Sequence, residues 1–247
     1  MCDHCGCTPP DSLHHHLHRE GIPHDHQHRL TVEKDILSLN DRQAGENRQY
    51  FSRCEICAVN IVSSPGAGKT SLLEQTLLPL LRKFPVAVIE GDQHTDNDAR
   101  RIAATGAICR QINTAQGCHL DAAMVHDALL TLDLPARSLL FIENVGNLVC
   151  PAMFDLGETW RVVVISVTEG DDKPLKYPYI FESARLCVIH KVDLLPYLSC
   201  DIGTLRRNLL HVNPSLRIFE ISSHTGEGLL SWRRFWEEQV AALPHAL

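Results

Sequence analysis

The chain has no excess of basic residues and no long apolar run. Lys and Arg total 23 against 30 Asp and Glu, for a net charge of −7 with His neutral. A protein that grips nucleic acid by neutralising phosphates needs the opposite balance, so no nucleic-acid partner is expected. No stretch nears the roughly 20 apolar residues that cross a bilayer, and the polar N-terminus has no signal-peptide core. The sequence therefore reads as cytoplasmic, with no membrane partner. In that compartment its ten cysteines do not form a disulfide framework; metal ligation or buried thiols fit better. There is no internal repeat. Large apolar residues are nearly missing from residues 1–30, which hold eight of the fifteen histidines and three of the ten cysteines. Such a segment buries too little apolar surface to offset its chain entropy and is expected to be disordered without a ligand.

At 247 residues the chain suits one α/β domain with an appendage. Residues 1–30 read as a Cys/His-rich metal-binding tail. Residues 31–52 read as a lead-in helix with Val32, Ile36 and Leu39 on one face, and 53–247 as the main domain. Strand-like runs fall at 58–62, 86–90, 107–111, 139–143, 162–167, 186–190 and 216–221. Most are continuously apolar, as in a sheet covered on both faces. Alternation with helical segments predicts a doubly wound, mostly parallel sheet. Pro79 is expected to kink the first helix of the domain.

The string Ser63-Ser64-Pro65-Gly66-Ala67-Gly68-Lys69-Thr70 follows an apolar strand and opens a Leu-rich helix. A strand, a glycine-rich loop and a helix N-terminus make a phosphate cradle. Backbone N–H groups from Ser64, Gly66, Ala67 and Gly68 through Ser71 would face phosphate oxygens. Lys69 would reach the outer phosphates and the Thr70 hydroxyl would ligate Mg²⁺. Ser63 stands where the usual motif has its first glycine. Glu143 ends an apolar strand where it can hold Mg²⁺ or its water, and Gly146 would let backbone approach a γ-phosphate. His190-Lys191-Val192-Asp193 occupies the place of the guanine-reading motif N-K-x-D. Asp193 can accept from guanine N1–H and N2–H, which adenine does not present, and Lys191 can lie along the base. Ser222-Ser223-His224 takes the position whose backbone supports the guanine oxygen, which makes Ser223 a binding residue. The expected nucleotides are GTP and GDP, so residues 53–247 read as a P-loop GTPase domain.

Metal chemistry forms a second theme. Cys2-Asp3-His4-Cys5-Gly6-Cys7 places three thiolates within six residues, a donor set for Zn²⁺, Ni²⁺ or Cu⁺ and not for Mg²⁺. A square-planar Ni²⁺ would take Cys2, Cys5 and Cys7 with either His4 or a free amine on Cys2. Cys118-His119 and Cys150 lie in loops expected at one sheet edge. They are either an open or shared metal site, or two buried small side chains beside a histidine. His14, His15, His16, His18, His24, His26 and His28 suit loose storage of several ions. Cys54 and Cys57 read as structural. His94, His126 and His211 read as ordinary histidines, although His126 could approach Cys118.

The chain resembles the HypB family, GTPases that support nickel insertion during [NiFe]-hydrogenase maturation within the signal-recognition/MinD-type branch of P-loop NTPases. The resemblance runs from about Leu30 to the C-terminus, with the Cys2-x-x-Cys5-Gly6-Cys7 motif added. It rests on Val62 to Thr70, Glu90-Gly91-Asp92, Gly117 to Ala122, Ile142 to Pro151 and Thr168 to Pro178. It implies a GTP-dependent homodimer and a metal site at Cys118, His119 and Cys150. It also implies a switch loop that brings Asp92 near Mg²⁺ and the attacking water. A HypA-type accessory protein and the [NiFe]-hydrogenase large-subunit precursor are the implied partners. Where the family has Asn, this chain has His190. A neutral imidazole donates only one hydrogen bond, so weaker guanine binding is expected.

The expected mechanism is a slow GTPase switch with Lys69, Asp92 and Glu143 in the reacting zone. Hydrolysis should be slow because neither a water-positioning glutamine nor an arginine finger is evident. Nucleotide state would reach Cys150 through the Glu143–Gly146 turn. Two alternatives are a nickel store with a decayed nucleotide site and a urease-type nickel-insertion GTPase.

Overall fold

The computed structural model describes residues 26–243 except 94 and 116, with side chains from Lys34 onward. Cys2, Cys5, Cys7 and the histidines up to His24 lie outside the described residues, as does His94, and the side chains of His26 and His28 are not described either. Helix α1 (His26–Arg53) is followed by β1 (Cys57–Ser63), α2 (Lys69–Leu80), β2 (Val86–Asp92), α3 (Asn97–Ala103) and β3 (Ile108–Asn113). Next come α4 (Ala122–Leu129), β4 (Leu139–Glu143), α5 (Cys150–Met153), β5 (Trp160–Ser166), α6 (Lys173–Lys176) and α7 (Pro178–Glu182). The chain closes with β6 (Leu186–His190), α8 (Ile202–Val212), β7 (Arg217–Ile221) and α9 (Leu229–Ala241). The seven strands form one sheet in the order β3-β2-β4-β1-β5-β6-β7, and every pairing is parallel. Winding reverses around β1, so the loops after β1, β2, β4 and β6 meet at the carboxyl edge, where open α/β sheets bind ligands.

The central strands β1 and β4 are buried throughout, which explains their unbroken apolar runs. Alternate residues serve opposite layers. Val59, Ile61, Val88 and Phe141 pack with α2 and α9; Ala58, Ala87, Ile89, Leu140 and Ile142 pack with α1 and α4. The chain's three tryptophans share the first layer: the ring centroids of Trp232 and Trp236 are 5.0 Å apart and those of Trp160 and Trp236 6.3 Å apart. Full burial of each such ring adds on the order of 2–3 kcal/mol. Trp232 also donates Nε1–H to Thr76 Oγ1 at 3.0 Å, which binds α9 to α2.

One expectation needs correction. The face of α1 that packs is not the apolar one: Ile36 and Leu39 are 50% and 68% exposed. Instead Asn40, Ala44, Asn47 and Phe51, at helical spacing, are buried. Asn40 Oδ1 accepts from Ala122 N at 2.9 Å, and Asn47 Nδ2 donates to Ala122 O at 2.8 Å and Leu156 O at 3.1 Å. Amide side chains here satisfy backbone groups at the start of α4 and in the β5 approach, so polar positions carry the contact. Pro79 falls in the last turn of α2. The N–H it lacks would have bonded Gln75 O; Arg233 fills that acceptor from Nε at 3.0 Å and Nη2 at 2.6 Å.

Candidate nucleotide and metal sites

The loop after β1 turns twice through left-handed backbone, at Gly66 (φ +74°) and Gly68 (φ +103°), conformations that suit glycine. Lys69 and Thr70 open α2 beyond it. Lys69 Nζ donates to Ser63 Oγ at 3.0 Å, so the residue at the motif's first-glycine position is a partner of the lysine. Thr70 Oγ1 donates to Glu143 Oε1 at 2.7 Å. Parallel register sets Glu90 on β2 beside Glu143 on β4, with both side chains on the α2 face. Glu90 Oε2 and Glu143 Oε2 are buried with no hydrogen-bond partner among the described residues. Burial pushes both carboxyls up. Glu143 and Asp92 add to the effect on Glu90, which reaches about 8; Lys69 and Thr70 oppose it at Glu143. Two adjacent buried carboxyl groups with unsatisfied oxygens, next to a threonine hydroxyl, fit a hard divalent cation such as Mg²⁺.

Asp92 follows on the same strand, and its Oδ2 accepts from Thr95 N at 2.9 Å and Thr95 Oγ1 at 2.8 Å. On α3, Arg101 Nη2 donates to Ser71 Oγ at 3.0 Å, while Glu74 and Asp98 hold the guanidinium. A cation therefore stands beside the first turn of α2, anchored by acids.

The base end lies between the loops after β1, β6 and β7. A cavity of ≈ 500 Å³ is lined by Gly68, Ser71, His190, Lys191, Asp193 and Ser223 among others. Lys191 is in the left-handed region (φ +61°) and Nζ donates to Gly66 O at 2.8 Å. Asp193 sits in the first turn of the 3-10 helix Val192–Tyr197.

Cys118, His119 and Cys150 converge, with one ligand atom from each lying within 4.8 Å of the others. Cys118 Sγ is 2.8 Å from Cys150 Sγ and 3.6 Å from His119 Nδ1. The His119 ring stacks on Phe154 with centroids 3.9 Å apart. Burial pulls the imidazole below its ordinary pKa, against Asp121, which favours the neutral ring with one bare nitrogen available as a ligand. Two sulfurs and one nitrogen suit Zn²⁺ or Ni²⁺ and leave a coordination position open. Asp121 caps α4 by accepting from Met124 N at 2.8 Å, which fixes where the Cys118 loop ends. His126, one turn into α4, is outside the group.

The two sites share walls. Asn144 Oδ1 accepts from Leu120 N at 3.0 Å and Val145 N at 2.9 Å. Gln93 Nε2 donates to Gly117 O at 3.0 Å, and Asn147 Nδ2 to Cys118 O at 3.4 Å. A Cβ on Gly91 would lie 2.8 Å from Leu120 Cγ, and one on Gly146 3.0 Å from Pro65 Cα. The loop after β4 thus touches the Cys118 loop on one side and the cradle on the other, while the loop after β2 meets the Cys118 loop through Gln93.

Residues 57–220 match the family model described as CobW/HypB/UreG, nucleotide-binding domain. A hydrogenase maturation factor HypB of Azotobacter vinelandii is 54% identical over 210 residues, 85% of this chain and 69% of that protein. The chain belongs to the HypB family. The crystal structure of HypB from Archaeoglobus fulgidus is 38% identical with a TM-score of 0.76, covering 82% of this chain and 99% of that one. That of HypB from Helicobacter pylori in complex with nickel is 34% identical with a TM-score of 0.77, covering 84% and 99%.

Set against the HypB-family expectation, the structure brings Lys69, Thr70 and Glu143 together at one end and Lys191, Asp193 and Ser223 at the other. Cys118, His119 and Cys150 form a cluster. Cys57 is a core thiol, pushed up by burial to about 12. Cys54 and Cys57 belong to no ligand cluster among the described residues. Sequence reasoning missed Glu90, although the signal was there: like Glu143, it is an acid at the end of an apolar strand. It also missed Asn144, whose part depends on tertiary contacts alone.

Proposed function

We propose that the chain is a GTP-hydrolysing nickel metallochaperone that supports nickel insertion into the [NiFe]-hydrogenase large-subunit precursor. The observation that carries this reading is the loop after β4, which touches the phosphate cradle at Pro65 and the Cys118–His119–Cys150 cluster at Cys118 O. GTP would lie across the cradle, with Lys69 on the outer phosphates and backbone N–H groups of Ser64, Gly66, Ala67, Gly68 and Ser71 around them. Thr70, Asp92 and Glu143 would hold Mg²⁺, with Glu90 alongside; the ion would neutralise charge on the transferring phosphoryl group. Asp193 would read the base, with Lys191 and Ser223 at its rim. A γ-phosphate drawn against Gly146 would act on Asn144 and Asn147, and through them on Leu120 N and Cys118 O. Nickel is the cargo, held by the cluster and by Cys2, Cys5 and Cys7; Zn²⁺ competes for the same donors, and the His-rich tail adds storage capacity. The active form is a homodimer that works with a HypA-type accessory protein. The name of the Azotobacter vinelandii relative and the nickel complex of the Helicobacter pylori structure support this assignment.

Steady-state phosphate release tests it. Slow GTP turnover, unaffected by excess ATP, is expected, with a loss of about 10²–10³-fold in Lys69→Ala. Nickel affinity should differ between the GDP and GTP states, and by linkage nickel must alter nucleotide affinity equally. Equal nickel affinity in both states would sink the coupling.

A further inference from the structure

β6 delivers His190 to the base end, only 2% exposed. Its Nδ1 lies 2.8 Å from Ala67 O and its Nε2 2.8 Å from Ser223 Oγ. A carbonyl oxygen only accepts, so Nδ1 carries the proton. In the neutral ring Nε2 is then bare and accepts a hydrogen bond from the Ser223 hydroxyl. Burial, helped by the neighbouring Lys191 ammonium, keeps the ring below its ordinary pKa against the pull of the Ala67 carbonyl and Asp193. The ring is also wedged against the cradle: a Cβ on Gly68 would lie 2.4 Å from Nδ1 and 2.6 Å from Cε1. Swinging the imidazole toward the cavity would break both hydrogen bonds and vacate that packing.

We infer that residue 190 gives the base no hydrogen bond, so guanine N7 goes unread by this side chain and selection falls on the N1/N2 edge through Asp193. An asparagine would differ in kind. Its Nδ2 has two hydrogens, enough for the Ala67 carbonyl and for a base acceptor together. His190 spends both nitrogens within the protein and has only C–H groups left. It is a positioning residue: with Lys191 on Gly66 O, it ties the β6 end to the cradle and to the Ser223 loop. The inference deepens the guanine-nucleotide reading of this cavity and rests on it.

The test is calorimetric binding to the full chain of GDP, 7-deaza-GDP, IDP and ADP. 7-deaza-GDP lacks only N7 as an acceptor, and IDP lacks only the 2-amino group. GDP and 7-deaza-GDP are expected to bind within about twofold of each other, and IDP about fivefold or more weaker, the worth of one net hydrogen bond. A loss of about fivefold or more with 7-deaza-GDP overturns the inference; so does IDP matching GDP. If GDP fails to bind, or ADP binds as tightly, the guanine reading itself has failed and the inference falls with it. In His190→Asn, a preference for GDP over 7-deaza-GDP of about threefold or more should emerge. If that variant does not fold, the wild-type series still decides.

Discussion

The two ends of the nucleotide cavity are built on opposite plans. At the base end His190 has no unused polar atom, and the lysine after it is fixed to a cradle carbonyl. At the phosphate end two buried carboxyl oxygens have no hydrogen-bond partner among the described residues, and nearby two sulfurs and an imidazole converge. One end is preassembled, and the other gathers donors whose cost of burial only an ion or a proton offsets. The contrast shows how one sheet edge can combine rigidity with readiness to bind. Parallel strands deliver their ends to one line, and the last residue of each sets the chemistry there.

The comparison can be broken most forcefully at the ion-seeking end. Cys150→Ala removes one of three converging ligands and should weaken nickel at that cluster by at least about 10–100-fold, the scale even of indirect supports to a metal. Because Cys2, Cys5 and Cys7 are proposed as further nickel donors, the measurement is a competition titration with all three also replaced. An unchanged affinity would mean that the sulfurs converge for packing alone.

The carboxyl pair gives a second test at the same end. The Glu90 carboxyl is raised from 4.5 to about 8, so the native state binds a proton that the unfolded chain releases. Stability without divalent cation should be highest below about pH 4.5 as far as this group is concerned, fall as pH rises to about 8, and then level off. Thermal melts of Glu90→Gln should be flatter across that window, and added Mg²⁺ should flatten the wild-type curve too. The same slope in Glu90→Gln would assign it to other groups.

The smallest effect is expected at the preassembled end. Ser223→Ala removes the donor to His190 Nε2 and should cost about 1 kcal/mol in denaturant unfolding. Nickel affinity should not change. A loss several times larger would show that the Ser223 loop, and not the His190 ring, organises that end.

Much of this was written in the sequence, for identifiable reasons. Strands at the sheet centre are buried on both faces, so Leu139–Glu143 and Leu186–His190 stand out as unbroken apolar runs with the structure's own bounds. The cradle was legible because its chemistry is local: glycines at positive φ, then Lys69 and Thr70 on the first turn of a helix. The Cys118–Cys150 contact spans 32 residues and depended on strand order and on family resemblance. The packed face of α1 was illegible for a physical reason. Periodicity weighs Ile36 and Leu39 above Asn40 and Asn47, whereas the neighbouring loops present backbone donors and acceptors that only amides can satisfy. The role of His190 was half visible. Its single donor could be counted in advance, but its two partners lie 123 and 33 residues away.

The clustering of all three tryptophans where α9 packs on the sheet has a spectroscopic consequence. Their emission reports the layer where α9 meets α2, and excitation should pass readily among rings 5.0 and 6.3 Å apart. None of the three lines the base cavity or belongs to the metal cluster. Native fluorescence is thus a clean gauge of global unfolding and a poor one of occupancy, and nucleotide titrations call for a fluorophore carried by the nucleotide itself.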